Sequence, residues 1–139
     1  MPYKFLENIA IADIAFEAEA KTLEGLFAEC GKAMAETMAD TAKIHLREKK
    51  EISAEGKTNE ELLYNFLSEL VYVKDVDSLI FRKFEVKIAD GKAVAKCEGD
   101  LLEKIGAGNL RNDIKAITMH LFKIEQKKDA WKATVVVDI

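Results

Sequence analysis

At 139 residues, 49% hydrophobic and 33% charged, the chain is sized for one domain, residues 1–139, whose core needs no disulfide or structural metal. Its formal charge of −4 has the wrong sign for a protein that grips nucleic acid unaided, because that affinity comes from Lys and Arg against phosphates. No run approaches the roughly 18–20 apolar residues that cross a bilayer, and Met1-Pro2-Tyr3-Lys4 lacks a signal-peptide pattern, so a cytoplasmic protein is expected.

From Ile11 to Ala20 the residues alternate: Ala12, Ile14, Phe16, Ala18 and Ala20 on one side, Asp13, Ala15, Glu17 and Glu19 on the other. Period two predicts a half-buried strand. Thr22 is the expected N-cap of a first helix, with Glu24 in its opening turn. Leu23, Leu26, Phe27, Cys30, Met34 and Met38 follow at helical spacing, and the pattern ends near Asp40. The stripe reads as core, with Met as gap filler. Ile44–Ile52 is a weaker strand, best over Ile44-His45-Leu46-Arg47, and Gly56 marks the turn after it. Thr58-Asn59-Glu60-Glu61 is a capping box, and Leu62, Leu63, Phe66, Leu67, Leu70 and Val71 form the apolar stripe of a second helix.

Leu79–Ile88 and Lys92–Glu98 are strands joined through Asp90-Gly91, the strongest short hairpin signal. Leu101–Asp113 has no period and reads as a long loop. Ile114–Ile124 is apolar on both faces, which predicts a strand near the middle of a sheet. Lys127-Lys128-Asp129 turns the chain into a last strand, Trp131–Val137. The order β-α-β-α-β-β-β-β predicts an α+β fold, a layered mixed β-sheet with two helices packed on it. No GxGxxG or GxxxxGK[ST] follows a strand, so a doubly wound nucleotide fold is not expected.

The last strand runs straight into Asp138 and Ile139. A chain ending there brings the Asp138 carboxylate beside the terminal carboxylate, and two such anions repel unless a cation, an Arg or several N–H donors neutralise them. Either the strand end is solvated or it is part of a small cation site. Asp13 and Asp40, at element ends, are the other candidate carboxylates; taken singly each reads as an exposed aspartate. If they converged with Asp138, the all-oxygen set would suit Ca²⁺ or Mg²⁺ rather than Zn²⁺. His45 and His120 lack zinc-ligand spacing and read as structural. Cys30 and Cys97 have no CxxC partner and read as reduced packing residues. There is no GxSxG, and no nucleophile–base pair that would make the chain a hydrolase can be named.

Four stretches in order resemble the archease family: Phe5-Leu6-Glu7 with Ala12-Asp13-Ile14-Ala15-Phe16-Glu17-Ala18 and Lys21-Thr22-Leu23-Glu24; Leu62 to Tyr72; Ile114-Lys115-Ala116-Ile117-Thr118-Met119-His120; and Trp131 to Ile139. The resemblance spans essentially the whole chain. It implies an accessory protein, not an enzyme, that activates an RtcB-type RNA ligase in tRNA splicing and RNA repair by promoting ligase guanylylation and multiple turnover. It implies RNA met only through that partner, and no membrane. A chaperone-like role toward a tRNA methyltransferase is the alternative it implies. It further implies a metal site of Asp13, Asp138 and an Ile139 main-chain or terminal oxygen, with Asp40 as a further ligand, binding Ca²⁺ or else Mg²⁺ or Mn²⁺. Two departures stand out: Glu7-Asn8-Ile9-Ala10-Ile11-Ala12-Asp13 lacks the family's histidine, and Ala107-Gly108 stand where the family tends to place Arg-His.

Overall fold

The structure, a computed structural model, describes residues 2–10 and 13–139. Ile11 and Ala12, where the first expected strand opens, lie outside the described residues. Among the described residues, seven strands form two sheets. Strands β1 (Tyr3–Ala10), β2 (Asp13–Ala20), β6 (Ala116–Lys127) and β7 (Ala130–Asp138) make one, in the order β1-β2-β7-β6. Strands β3 (Glu48–Glu55), β4 (Leu79–Ala89) and β5 (Lys92–Leu101) make the other, in the order β3-β5-β4. Every neighbouring pair is antiparallel. The α+β class is as expected, with two antiparallel sheets in place of one mixed sheet. Three of those pairs are joined by short connections, which permit only antiparallel pairing.

Helices α1 (Leu23–Met38) and α2 (Asn59–Asp77) each touch both sheets, and one apolar cluster runs through the molecule. Both helices are capped at the expected residues: Thr22 Oγ1 accepts from Gly25 N at 3.0 Å, and Thr58 Oγ1 from Glu61 N at 3.1 Å, the N-cap half of the capping box. The Phe27 and Phe66 rings meet with centroids 5.5 Å apart and link the helices. Cys30 and Cys97 are buried free thiols. At the Asp90-Gly91 hairpin both residues have positive φ, 52° and 72°, the requirement that makes Asp-Gly its signature. Where β4 bulges between Phe81 and Lys83, the strands approach so closely that a Cβ on Gly99 would lie 1.9 Å from Ile80 O.

Several local expectations change. The strand placed over Ile44–Ile52 begins only at Glu48. Upstream, Arg82 Nε donates to Ile44 O at 2.5 Å, Arg47 N donates to Gly99 O at 3.0 Å, and the Arg47 guanidinium pairs with the buried Asp100 carboxylate at 3.0 Å. Tyr3–Ala10, not anticipated as a strand, pairs with β2 and sets Phe5 opposite Phe16. Of the loop expected over Leu101–Asp113, Leu101 ends β5, Leu102–Ile105 form a one-turn helix, α3, Ala107–Asn109 a 3-10 turn, and Leu110 bridges Ala39. β6 is an edge strand, not a central one; β7 lies between it and β2. One of its faces rests on α2, where Tyr64 and Phe122 meet edge to face, but Met119 is 65% and Leu121 50% exposed. A bulge between Thr118 and Lys123, with Leu121 at φ 59°, throws those side chains outward.

Candidate metal centre

Alternation along two paired strands decides where the carboxylates go. Phe16, Ala18, Ala133, Val135 and Val137 point into the core, so residues of the opposite parity face away from it. The β2–β7 register places Asp13 directly opposite Asp138 on that outer face, and Ala116 of β6 is the partner on the other side of Asp138. Side chains so opposed have Cβ atoms about 4.5–5.5 Å apart. Both aspartates are half-buried. Ile139 follows, half-buried, packed against the core cluster.

The same face shows how this protein neutralises an acid when it does so internally. Glu17, paired with Thr134, lies 3.4 Å from Lys4 and 3.3 Å from Lys132. Burial pushes the Glu17 pKa up, but hydrogen bonds and charge from Lys132 and Lys4 win and hold it below the usual range. Asp13 and Asp138 have no basic ion-pair partner among the described residues. Two hydroxyls on the same face, those of Thr118 and Thr134, are buried without a hydrogen-bond partner among the described residues, Thr134 opposite Glu17 and Thr118 beside the Asp13–Asp138 pair. Half-buried carboxylate oxygens with no basic partner among the described residues are the hard donors that suit Ca²⁺ or Mg²⁺ rather than Zn²⁺.

Asp40 sits apart in role. Its Oδ1 accepts from Ala42 N at 3.1 Å and caps the 3-10 turn Thr41–Lys43, while its own N–H donates to Asn109 O at 2.8 Å. Among the described residues, no group of three or more His, Cys, Asp or Glu side chains is gathered as for a metal. Asp13 and Asp138 are therefore brought together, and Asp40 does not complete a three-carboxylate cluster with them. His45 and His120 are both exposed rather than packed as structural histidines. Ala107 and Gly108 are exposed on the 3-10 turn, and a Cβ on Gly108 would meet nothing within 4 Å.

The sequence reasoning missed Lys74. Its side chain is only 5% exposed and bonds Asp75 Oδ1 at 2.6 Å, Ile114 O at 2.9 Å and Asp113 Oδ1. The signal was present: position 74 continues the stripe of Leu63, Phe66, Leu67, Leu70 and Val71 at helical spacing, so a lysine there points inward.

Among the described residues no helix is long and apolar enough to cross a membrane. Residues 3–139 match the archease protein family. The chain is 37% identical over 133 residues to the protein archease of Pyrococcus abyssi, covering 92% of this chain and 93% of that one. It is 34% identical over 140 residues to that of Archaeoglobus fulgidus, covering all of both. Among solved structures, protein 1598 of Methanobacterium thermoautotrophicum superposes with a TM-score of 0.83 at 27% identity, covering 99% of each chain. An archease of Thermotoga maritima, described as a "possible chaperone", shares the fold with a TM-score of 0.66 at 22% identity, over 96% of this chain and 97% of that one. With the family matched from the first strand to the last residue, this chain belongs to the archeases.

Proposed function

We propose that this protein is an accessory activator of an RtcB-type RNA ligase, and that Asp13, Asp138 and an oxygen of Ile139 hold a divalent cation, Ca²⁺ or else Mg²⁺ or Mn²⁺. The observation that carries the site is the register pair: two half-buried carboxylates face each other without a basic partner among the described residues, on a sheet face where Glu17 has two. Asp40 stands outside this set: its carboxylate caps the 3-10 turn Thr41–Lys43, and among the described residues no third acidic side chain gathers with Asp13 and Asp138. When bound, the cation supplies positive charge that relieves the repulsion of this pair. The protein's own residues do the rest: the β2–β7 ladder fixes the carboxylates, and the net charge of −4 leaves phosphate binding to the ligase. The activation itself is a shift of the ligase toward its competent conformation.

The test mixes the protein with its cognate ligase, GTP, divalent metal and RNA in excess over ligase. Wild type is expected to raise the number of turnovers and the guanylylated fraction, and Asp138→Asn to remove that stimulation with the fold intact by circular dichroism. Turnover unchanged by the wild type overturns the activator function. A chaperone-like role toward a tRNA methyltransferase is favoured by one observation, the exposed Met119 and Leu121 on the open edge of β6. It predicts suppressed aggregation of the methyltransferase that survives Asp138→Asn and is lost with paired Met119→Ser and Leu121→Ser changes.

A further inference from the structure

Lys74 stands in the last turn of α2, where a leucine would complete the apolar stripe. A buried ammonium costs several kcal/mol unless every proton finds an acceptor. Here all three do: Asp75, Asp113 and the Ile114 carbonyl. Two of these acceptors lie on residues 111–115, which have no helix or strand of their own. That segment is held at its start by α1, through Arg111 N to Met38 O at 2.8 Å and Asn112 N to Thr37 O at 3.1 Å. Its end holds the main chain of Asp138: Lys115 N donates to Asp138 O at 2.8 Å, and Ala116 then pairs with Asp138 in register. Lys74 grips the carbonyl immediately before that amide. A short path of contacts therefore runs from the buried ammonium through Ile114 and Lys115 to Asp138, opposite Asp13.

We propose that Lys74 is a positioning residue for the Asp13–Asp138 pair: it anchors the segment that holds the main chain of Asp138, and so sets cation affinity without touching the cation. The proposal rests on the cation site argued above. Residues that orient metal ligands from behind typically change affinity by about 10–100-fold when replaced. Lys74→Met is a suitable probe, because the two carboxylates it would leave are 56% and 67% exposed and can be rehydrated. A cavity of about 290 Å³, lined in part by Met38, Leu102, Leu110 and Arg111, adjoins Lys74 and gives room for Lys74→Arg as the conservative variant.

Calcium and manganese binding is measured by isothermal titration on the wild type and on both variants, and amide exchange at Lys115 is followed by NMR. Lys74→Met is expected to weaken binding about tenfold or more and to speed exchange at Lys115 while leaving the α2 core amide of Phe66 unchanged. Lys74→Arg should restore most of both. Equal affinity in wild type and Lys74→Met overturns the positioning role alone. A wild type that takes up neither cation removes the site, and this role with it. Should Lys74→Met fail to fold, Asp113→Ala loosens the same anchor from an exposed position, and it must lower affinity severalfold for the proposal to stand.

Discussion

Replacing Asp13 by Asn should invert the order of stability between metal-free and metal-loaded protein. The change keeps the shape of the side chain and removes one of two opposed charges. Unit charges about 5 Å apart interact by about 0.8 kcal/mol at the dielectric of water and about 3 kcal/mol at an effective value near 20. For half-buried side chains at a sheet rim, relief of about 1 kcal/mol is expected. An unfolding entropy of about 2.1 cal/mol/K per residue gives about 290 cal/mol/K for 139 residues. Asp13→Asn should therefore melt about 3 °C above wild type in EDTA. Calcium at a hundredfold over its Kd stabilises a one-site protein by about 2.7 kcal/mol. Wild type should then rise by about 9 °C and the variant hardly at all, leaving wild type ahead by about 6 °C. Scanning calorimetry with and without calcium reads both numbers. A variant that melts below wild type in EDTA, or an equal calcium shift in both proteins, refutes the account of the pair as an unneutralised anion site.

Gly99→Ala should cost about 3 kcal/mol or more, because its Cβ would meet backbone, Ile80 O, at 1.9 Å. With a urea m-value near 2 kcal/mol/M the midpoint should fall by roughly 1.5 M, and a midpoint within experimental scatter of wild type would show that the bulge opens freely. Alkaline pH should destabilise the fold. Burial and the Glu36 hydrogen bond and charge push the Tyr3 phenol up to about 12, and Lys74, drawn down by burial, is carried above its ordinary value by Asp113 and Asp75. Both groups hold their protons more tightly folded than unfolded, so their contribution is complete below about pH 10 and is lost as pH rises through the folded values. Urea midpoints at pH 9 and 11.5 should differ, and Tyr3→Phe should shrink the difference.

How far the chain could be read before its structure depended on how local each signal is. The Thr58–Glu61 cap, the α1 stripe and the Asp90-Gly91 turn are each complete within a few residues, and each formed where expected. The Ile44–Arg47 segment looks like a strand because its apolar residues alternate, yet Ile44 N closes the preceding 3-10 turn and Ile44 O is taken by Arg82, which lies about forty residues away. β6 carries apolar residues on both faces, and composition does not distinguish a strand covered twice from an edge whose bulge exposes Met119 and Leu121. The candidate site divides in the same manner. That Asp13 faces away from the core follows from alternation within β2, and that Asp138 closes the last strand is plain in the sequence. That the two stand opposite each other is a matter of register between chain ends, and Asp40 is set by its own cap rather than by a ligand. Lys74 was visible as a charge on an apolar stripe, but its acceptors, Asp113 and Ile114, lie far along the sequence.

The β2–β7 ladder has a consequence for how the protein is made. It joins residues 13–20 to residues 131–138, with more than about a hundred residues between, so it contributes high contact order and waits on a costly loop closure. During translation the β1–β2 hairpin can form early, but its inner edge stays bare until the final strand has left the ribosome. The carboxylate pair thus cannot exist in any nascent intermediate. A premature stop just before codon 138 would yield a product that keeps β1 and β2 but lacks the residue that stands opposite Asp13.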